Sequence, residues 1–150
     1  EPPPMREIER VPYGTWDVVR KGQDVAILAV GTMVLPSVAA AELLAREGLN
    51  VTVVNCRYLK PYDEVTLAAV LSQHQRVLTV EEGTIVNGFG AYISAIIERH
   101  DESIRVQTLG VPDRIMVAAS RKRQLQLCGL SPEGSADRVR ALLESEAVAG

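Results

Sequence analysis

Aromatic side chains are scarce, with one Phe, one Trp and four Tyr in 150 residues. That argues against an aromatic sandwich or barrel. The 47% hydrophobic share must come mainly from Val, Leu, Ile and Ala, which suits a parallel sheet covered by alanine-rich helices. Cysteine is nearly absent too: Cys56 and Cys128 stand far apart with no CxxC or Cys/His spacing, so neither a metal site nor a disulfide framework is indicated. Both read as free, largely buried thiols. No apolar run approaches the ~20 residues of a membrane span, and no charged-then-apolar N-terminal signal is present. The expectation is a cytoplasmic chain. A net charge of −3 and a pI near 5.4 leave no positive field to gather nucleic acid or an anionic membrane, so neither partner is expected. GxxxxGK[ST] and GxGxxG are missing, hence no phosphate-cradling loop is supported. Neither repeats nor low-complexity tracts occur beyond the opening prolines.

The length suits one domain, able to bury about 70% of its unfolded surface. Glu1-Pro2-Pro3-Pro4 cannot open a helix, because proline fixes φ and favours an extended course. Residues 1–13 are therefore expected to be a linker from a preceding domain, 14–145 the domain and 146–150 a frayed tail. An edge strand is expected over Thr15–Arg20 and a buried one over Val25–Val30. A helix with Pro36 in its first turn, and Ala39, Ala40, Leu43 and Leu44 on one face, stops at Gly48. Val51–Asn55 returns as a strand, completing a βαβ unit with parallel strands. Asp63 is the best N-cap for a short helix facing inward through Leu67, Val70 and Leu71. Arg105–Leu109 is a further core strand. Ser120 can cap a helix carrying Leu125 and Cys128, and Ser131-Pro132 opens another with Ala136, Val139, Leu142 and Leu143 on one face. The fold class is α/β, a three-layer open sheet of about five strands, mostly parallel, with one antiparallel edge strand.

The chain is organised around residues 77–91. The apolar run Val77–Val80 stops at Glu81 and Glu82, which places both carboxylates at the C-terminal end of a central strand, where open α/β sheets meet ligands and partners. Gly88 and Gly90 flank Phe89 and let a helix start close to the sheet, its apolar face continuing through Tyr92, Ile93, Ile96 and Ile97. Adjacent carboxylates at a strand end point in opposite directions, so Glu81 and Glu82 read as structural groups, capping a helix or pairing with Arg, more than as an acid/base pair. His74 and His100 stand in polar settings near helix ends and are expected to face solvent. Asp113-Arg114 could bind an anion, with a local ion pair in a turn the preferred reading. Arg121-Lys122-Arg123 puts positive charge in a first helical turn, against the dipole, and reads as a solvated face.

Four stretches in order carry a resemblance: Asp24–Val34, Val51–Glu64 with Arg57 inside it, Val80–Gly83 together with Gly88-Phe89-Gly90, and Leu109–Arg114. Together they resemble the C-terminal domain of the 1-deoxy-D-xylulose-5-phosphate synthases, within the transketolase family, over nearly the whole span from Gly14 to Leu143. The resemblance implies a transketolase C-terminal-domain-like fold and a parent enzyme that uses thiamine diphosphate and Mg²⁺ to condense pyruvate with glyceraldehyde 3-phosphate for isoprenoid precursor synthesis. It also implies that cofactor, metal and catalytic residues belong to other domains, so that this domain binds none and is inactive alone. Its partners would be the preceding domains of the same polypeptide and a second copy in a homodimer. Arg57, Glu81, Glu82, Gly88, Phe89, Gly90, Asp113 and Arg114 are then interface or structural-loop candidates. The chain departs from the family at Asn87, where a second glycine is usual, at Ala91, where a small hydroxyl residue is usual, and at Ile115–Ala119, where an aromatic residue precedes Glu-His-Gly. The alternatives are the C-terminal domain of a 2-oxoacid dehydrogenase β subunit, another transketolase-like paralogue and a stand-alone anion- or nucleotide-binding module.

Overall fold

The computed structural model describes residues 10–144; the Glu1–Pro4 stretch and the 146–150 tail lie outside them. The elements run β1 (Asp17–Arg20), β2 (Val25–Ala29), α1 (Val34–Ala45), β3 (Val51–Asn55), α2 (Glu64–Leu71), β4 (Arg76–Thr84), α3 (Phe89–His100), β5 (Arg105–Val111), α4 (Arg121–Leu127) and α5 (Pro132–Glu144). A short 3-10 turn over Gly31–Met33 joins β2 to α1. The strands form one sheet in the order β1-β3-β2-β4-β5. β1 pairs antiparallel with β3, and every other pair is parallel. This is the expected mostly parallel sheet with one antiparallel edge.

Every residue of β2 is buried, because both faces of the sheet are covered and side chains alternate between them. Val25, Ile27 and Ala29 join Val51, Val53, Leu78 and Val80 under α1 and α5. Ala26 and Leu28 join Val54, Val77 and Trp16 under α2 and α3. Asp63 caps α2 as expected, accepting from the Thr66 N–H at 2.9 Å, and Ser120 caps α4 by accepting from the Arg123 N–H.

Several expectations are corrected. β4 does not stop at the carboxylates but runs on through Glu81 and Glu82 to Thr84, and β5 continues past Leu109 to Val111. The two strands stay together past those residues: after Val80 pairs with Leu109 the register shifts, skipping Glu81, Glu82, Gly83 and Gly110, and pairing resumes at Thr84 with Val111. The buried face of α1 is centred on Val34, Ser37, Ala40, Ala41 and Leu44, leaving Ala39 and Leu43 half-buried. In α3 the core positions are Phe89, Gly90, Ile93 and Ile97, whereas Tyr92 is 36% exposed and Ile96 half-buried. The stripe i, i+4, i+8 faces the sheet and its flank does not. No residue of α4 is buried.

The α3 packing predicts a graded mutational series, read by urea unfolding at constant m. Ile93→Ala, at 0% exposure, should cost about 2–5 kcal/mol through lost burial and the cavity left behind. Ile96→Ala should cost only about 1 kcal/mol. Gly90→Val should cost at least ~1–3 kcal/mol by overpacking, and Lys122→Ala on the solvent face should stay within about 0.5 kcal/mol. Equal costs for Ile93→Ala and Lys122→Ala would contradict this core assignment.

Candidate functional site

Between β2 and β4 the strand order reverses, and the chain leaves β2 toward α1 on one face but β4 toward α3 on the other. Such a switch point opens a crevice at the carboxyl ends of the strands, the usual ligand site of open α/β sheets. Glu81 and Glu82 stand there on opposite faces of β4. Glu81 is 8% exposed. Its Oε2 accepts from the Phe89 N–H at 3.0 Å and its Oε1 from the Gly90 N–H at 2.8 Å. These are N–H groups at the start of α3, which the helix cannot itself satisfy, and the helix dipole favours a negative charge beside them.

The close approach explains the two glycines. A Cβ on Gly88 would lie 2.2 Å from the Thr84 carbonyl oxygen and 2.6 Å from both Glu81 carboxylate oxygens. One on Gly90 would lie 2.5 Å from Thr79 Oγ1 and 2.8 Å from Thr108 Cγ2. Asn87, where the resembling family usually has glycine, takes φ of 59°, a left-handed conformation that asparagine tolerates.

Glu82 turns outward into a second network. It accepts from Arg121 Nε at 2.6 Å, from Arg121 Nη2 and from the Thr32 hydroxyl at 2.6 Å. The Arg121 guanidinium, with help from the Thr32 hydroxyl, holds the Glu82 carboxyl below its ordinary range. Arg121 is thus not simply part of a solvated face, and Glu82 offsets the unfavourable position of a cation in the first turn of α4. The turn after β2, the end of β4 and the start of α4 are tied together across the switch point.

On the β3 side, Arg57 donates to the Thr15 carbonyl oxygen at 3.2 Å, to Thr15 Oγ1 at 3.0 Å and to the Trp16 carbonyl oxygen at 3.2 Å. Trp16 Nε1 donates to the Tyr58 carbonyl oxygen at 2.7 Å, and its backbone N–H to Asp63 at 2.7 Å. Burial works to raise the Asp63 carboxyl, but the donors from Thr66 and Trp16 outweigh it and hold it low. Burial, reinforced by the Asp63 charge, pushes the Cys56 thiol well up, so it is not a ready nucleophile.

Of the candidates read from the sequence, the structure brings Glu81, Gly88, Phe89 and Gly90 together and places Arg57 in the β1 network. Asp113 and Arg114 are exposed; in place of the expected ion pair, the Arg114 N–H donates to the Pro112 carbonyl oxygen at 2.8 Å. His74, expected at the surface, is 2% exposed, while His100 is exposed. Thr32 and Arg121 were missed as partners of Glu82. The positive run opening α4 was the available signal, since it needs an acid nearby. Among the described residues no group of three or more His, Cys, Asp or Glu could hold a metal ion, and no helix is long and apolar enough to cross a membrane. Beside its charged groups the carboxyl edge exposes apolar side chains: Leu35 at 78%, Leu59 at 43%, Val86 at 45%, Ile115 at 100% and Val117 at 75%, in the loops or first helical turn after β2, β3, β4 and β5. Tyr13, 77% exposed, joins them where the chain enters β1, packed edge-on to Tyr58.

A mostly parallel sheet with helices on both faces, a strand-order reversal between β2 and β4 and one antiparallel edge strand defines a doubly wound α/β domain. The chain belongs to the transketolase family as its C-terminal domain, whose family model matches residues 14–134. It is similar to the 1-deoxy-D-xylulose-5-phosphate synthase of Gloeobacter violaceus, 44% identical over 141 residues, and to that of Geobacillus thermodenitrificans, 38% identical over 141 residues. These matches take in 92% and 91% of this chain but 22% of each relative's length. A split-gene transketolase solved as an inactive β4 tetramer is 29% identical with a TM-score of 0.82, over 90% of this chain and 44% of that one. A Pichia stipitis transketolase complex with sedoheptulose 7-phosphate, at 20% identity and a TM-score of 0.64 over 86% of this chain and 18% of that one, shares the fold.

The Glu82–Arg121 pair sets a pH dependence. Because the Glu82 carboxyl is lowered in the folded chain, the stability it contributes is complete above the ordinary carboxylate value of about 4.3 and is lost as pH falls through the lowered value. Arg121→Met should return the Glu82 titration, followed by carboxyl ¹³C shifts, toward the ordinary range and shrink the loss of stability across that acid window. An unmoved Glu82 titration would contradict the pairing.

Proposed function

We propose that this chain is the non-catalytic C-terminal domain of a thiamine-diphosphate-dependent transferase of the kind its relatives are named for, 1-deoxy-D-xylulose-5-phosphate synthase. On this reading residues 1–13 link it to the preceding domains of the parent polypeptide, and the parent works in the cytoplasm, condensing pyruvate with glyceraldehyde 3-phosphate. The domain's own part is to pack against those preceding domains and to support a homodimer. The observation that carries this is the carboxyl edge. Its switch point is bridged by the chain's own Glu82, Thr32 and Arg121, and the loops of the same edge carry Leu35, Leu59, Val86, Ile115 and Val117, all exposed. Several large apolar side chains exposed on one edge, mixed with charged groups, suit a protein surface. Arg57, Glu81, Gly88, Phe89 and Gly90 hold that edge in shape, and Asp113 and Arg114 stand on its rim.

Thiamine diphosphate and Mg²⁺ belong, on this reading, to other parts of the parent. The residues here do not fit the diphosphate: the start of α3, the place where backbone N–H groups could receive it, already holds the Glu81 carboxylate, whose charge would repel it. Nor do Glu81 and Glu82 converge on one cation, since they engage partners on opposite sides of β4.

Two experiments test the proposal. Calorimetric titration of the 150-residue chain with thiamine diphosphate and Mg²⁺ should show no micromolar binding, and micromolar binding would overturn the reading. In the full-length parent, Glu82→Gln should weaken domain packing or dimer affinity while leaving the single-turnover rate within about tenfold, whereas a general acid or base typically loses roughly 10²–10⁴-fold. A loss on the order of 10³ with an intact dimer would make Glu82 part of the chemistry.

A further inference from the structure

The chain's one Phe, one Trp and four Tyr gather in one place. Trp16 packs on Tyr62 and Phe89, and Tyr62 on Tyr92, with ring centroids 6.5, 6.2 and 6.1 Å apart. Tyr13 packs on Tyr58 at 5.4 Å, and the Trp16 indole joins the two groups through the Tyr58 carbonyl oxygen. Trp16 and Phe89 belong to the core, but Tyr13 is 77% and Tyr92 36% exposed. Exposed tyrosines clustered with cations are the side chains that anchor protein interfaces.

These rings border a groove along the outer flank of α3. Hollows of about 260, 460 and 570 Å³ adjoin there, the first two sharing Tyr62, Ile96 and His100 and the last two sharing Tyr92. Arg99 and Lys60 line it, both exposed, and the Lys60 ammonium stands 5.5 Å from the centre of the Tyr92 ring. Among the described residues neither cation joins an ion pair. Of the acids beside the groove, Glu81 is held by the start of α3 and Glu64 bonds the Tyr62 phenol. The groove is thus aromatic and apolar along its wall, with two cations left to meet carboxylates.

We propose that this groove seats the chain's own opening stretch, Glu1-Pro2-Pro3-Pro4-Met5-Arg6-Glu7-Ile8-Glu9, which lies outside the described residues. The two are neighbours along the chain: Tyr13 packs on Tyr58, and a Cβ on Gly14 would lie 3.2 Å from Pro61 Cγ, so the residues before them start at the groove's head. They also match in chemistry. Aromatic-lined grooves receive proline-rich segments, and three glutamates against one arginine suit Lys60 and Arg99. A stretch of this length reaches about 30 Å, more than the ~18 Å of α3. The covalent tether supplies the effective concentration that a free peptide of this size would lack. The inference rests on the reading above in taking residues 1–13 as the join to the preceding domains, a join that the groove then holds along α3.

The test places a nitroxide on Met5→Cys in the 150-residue chain, labelled with ¹⁵N and carrying Cys128→Ser, since Cys56 is buried. The label should broaden the amides of Tyr92, Ile96 and Arg99 and leave sharp that of Arg138 on α5, across the sheet. Lys60→Glu with Arg99→Glu, both at exposed positions, should keep the urea midpoint and abolish the broadening. Tyr92→Ala should also reduce it. No broadening along α3, equal broadening on α5, or broadening that survives the double charge reversal would each overturn the inference. All three are read in this chain alone, so they leave the assignment to a parent enzyme standing, whereas micromolar thiamine diphosphate binding would overturn that assignment and leave this contact in place.

Discussion

The carboxylate of Glu81, held between β4 and the first N–H groups of α3, is the constraint from which the carboxyl edge is built. A charge that is 8% exposed is tolerable only where donors replace its lost water. The Phe89 and Gly90 N–H groups do this, and they can reach it only if α3 begins against the sheet. Positions 88 and 90 then have no room for a side chain. With the helix start fixed there, Phe89, Ile93 and Ile97 fall on the core and close one face of the sheet.

One residue further along β4 the strand's alternation reverses the direction and changes the role. Glu82 faces out, and three segments far apart in the chain meet on it: Thr32 after β2, the end of β4 and Arg121 at the head of α4. α4 buries no residue of its own, so apolar packing does little to place it. The Glu82 ion pair and the Ser120 cap position its first turn beside the carboxyl end of β4. A doubly wound domain would ordinarily meet a ligand at that point. Here an intramolecular ion pair bridges it, while the surrounding loops present apolar side chains among their charged ones. The chain belongs to the transketolase C-terminal domain family and spans 22% of the length of the curated relatives it matches.

Strand and helix order was legible because it depends on local pattern. Val51–Asn55, the Asp63 and Ser120 caps and the inward face of α2 at Leu67, Val70 and Leu71 are set by period, propensity and side-chain chemistry within a few residues. The end of β4 was misread because paired carboxylates usually mark solvent, a rule that fails when distant N–H groups supply the missing donors. Tyr92 was misread for a related reason: an apolar stripe defines which side of a helix can be buried, but the sheet's position chooses the central line. His74, between Gln73 and Gln75, looked solvated, yet the packing of α2 against β1 and β3 encloses it.

The family was readable from residues in order, and so was the three-layer sheet with its antiparallel edge, because each rests on motifs and runs that the chain carries locally. Which partner each charged group takes was decided by the tertiary structure alone. Glu82 and Arg121 are 39 residues apart, Glu82 and Thr32 are 50 apart, and Arg57 reaches Thr15 across 42. A side chain's type states what it can bond to, but only the folded sheet brings residues so far apart along the chain within hydrogen-bond distance, because that distance depends on how strands are ordered side by side and not on their order in sequence.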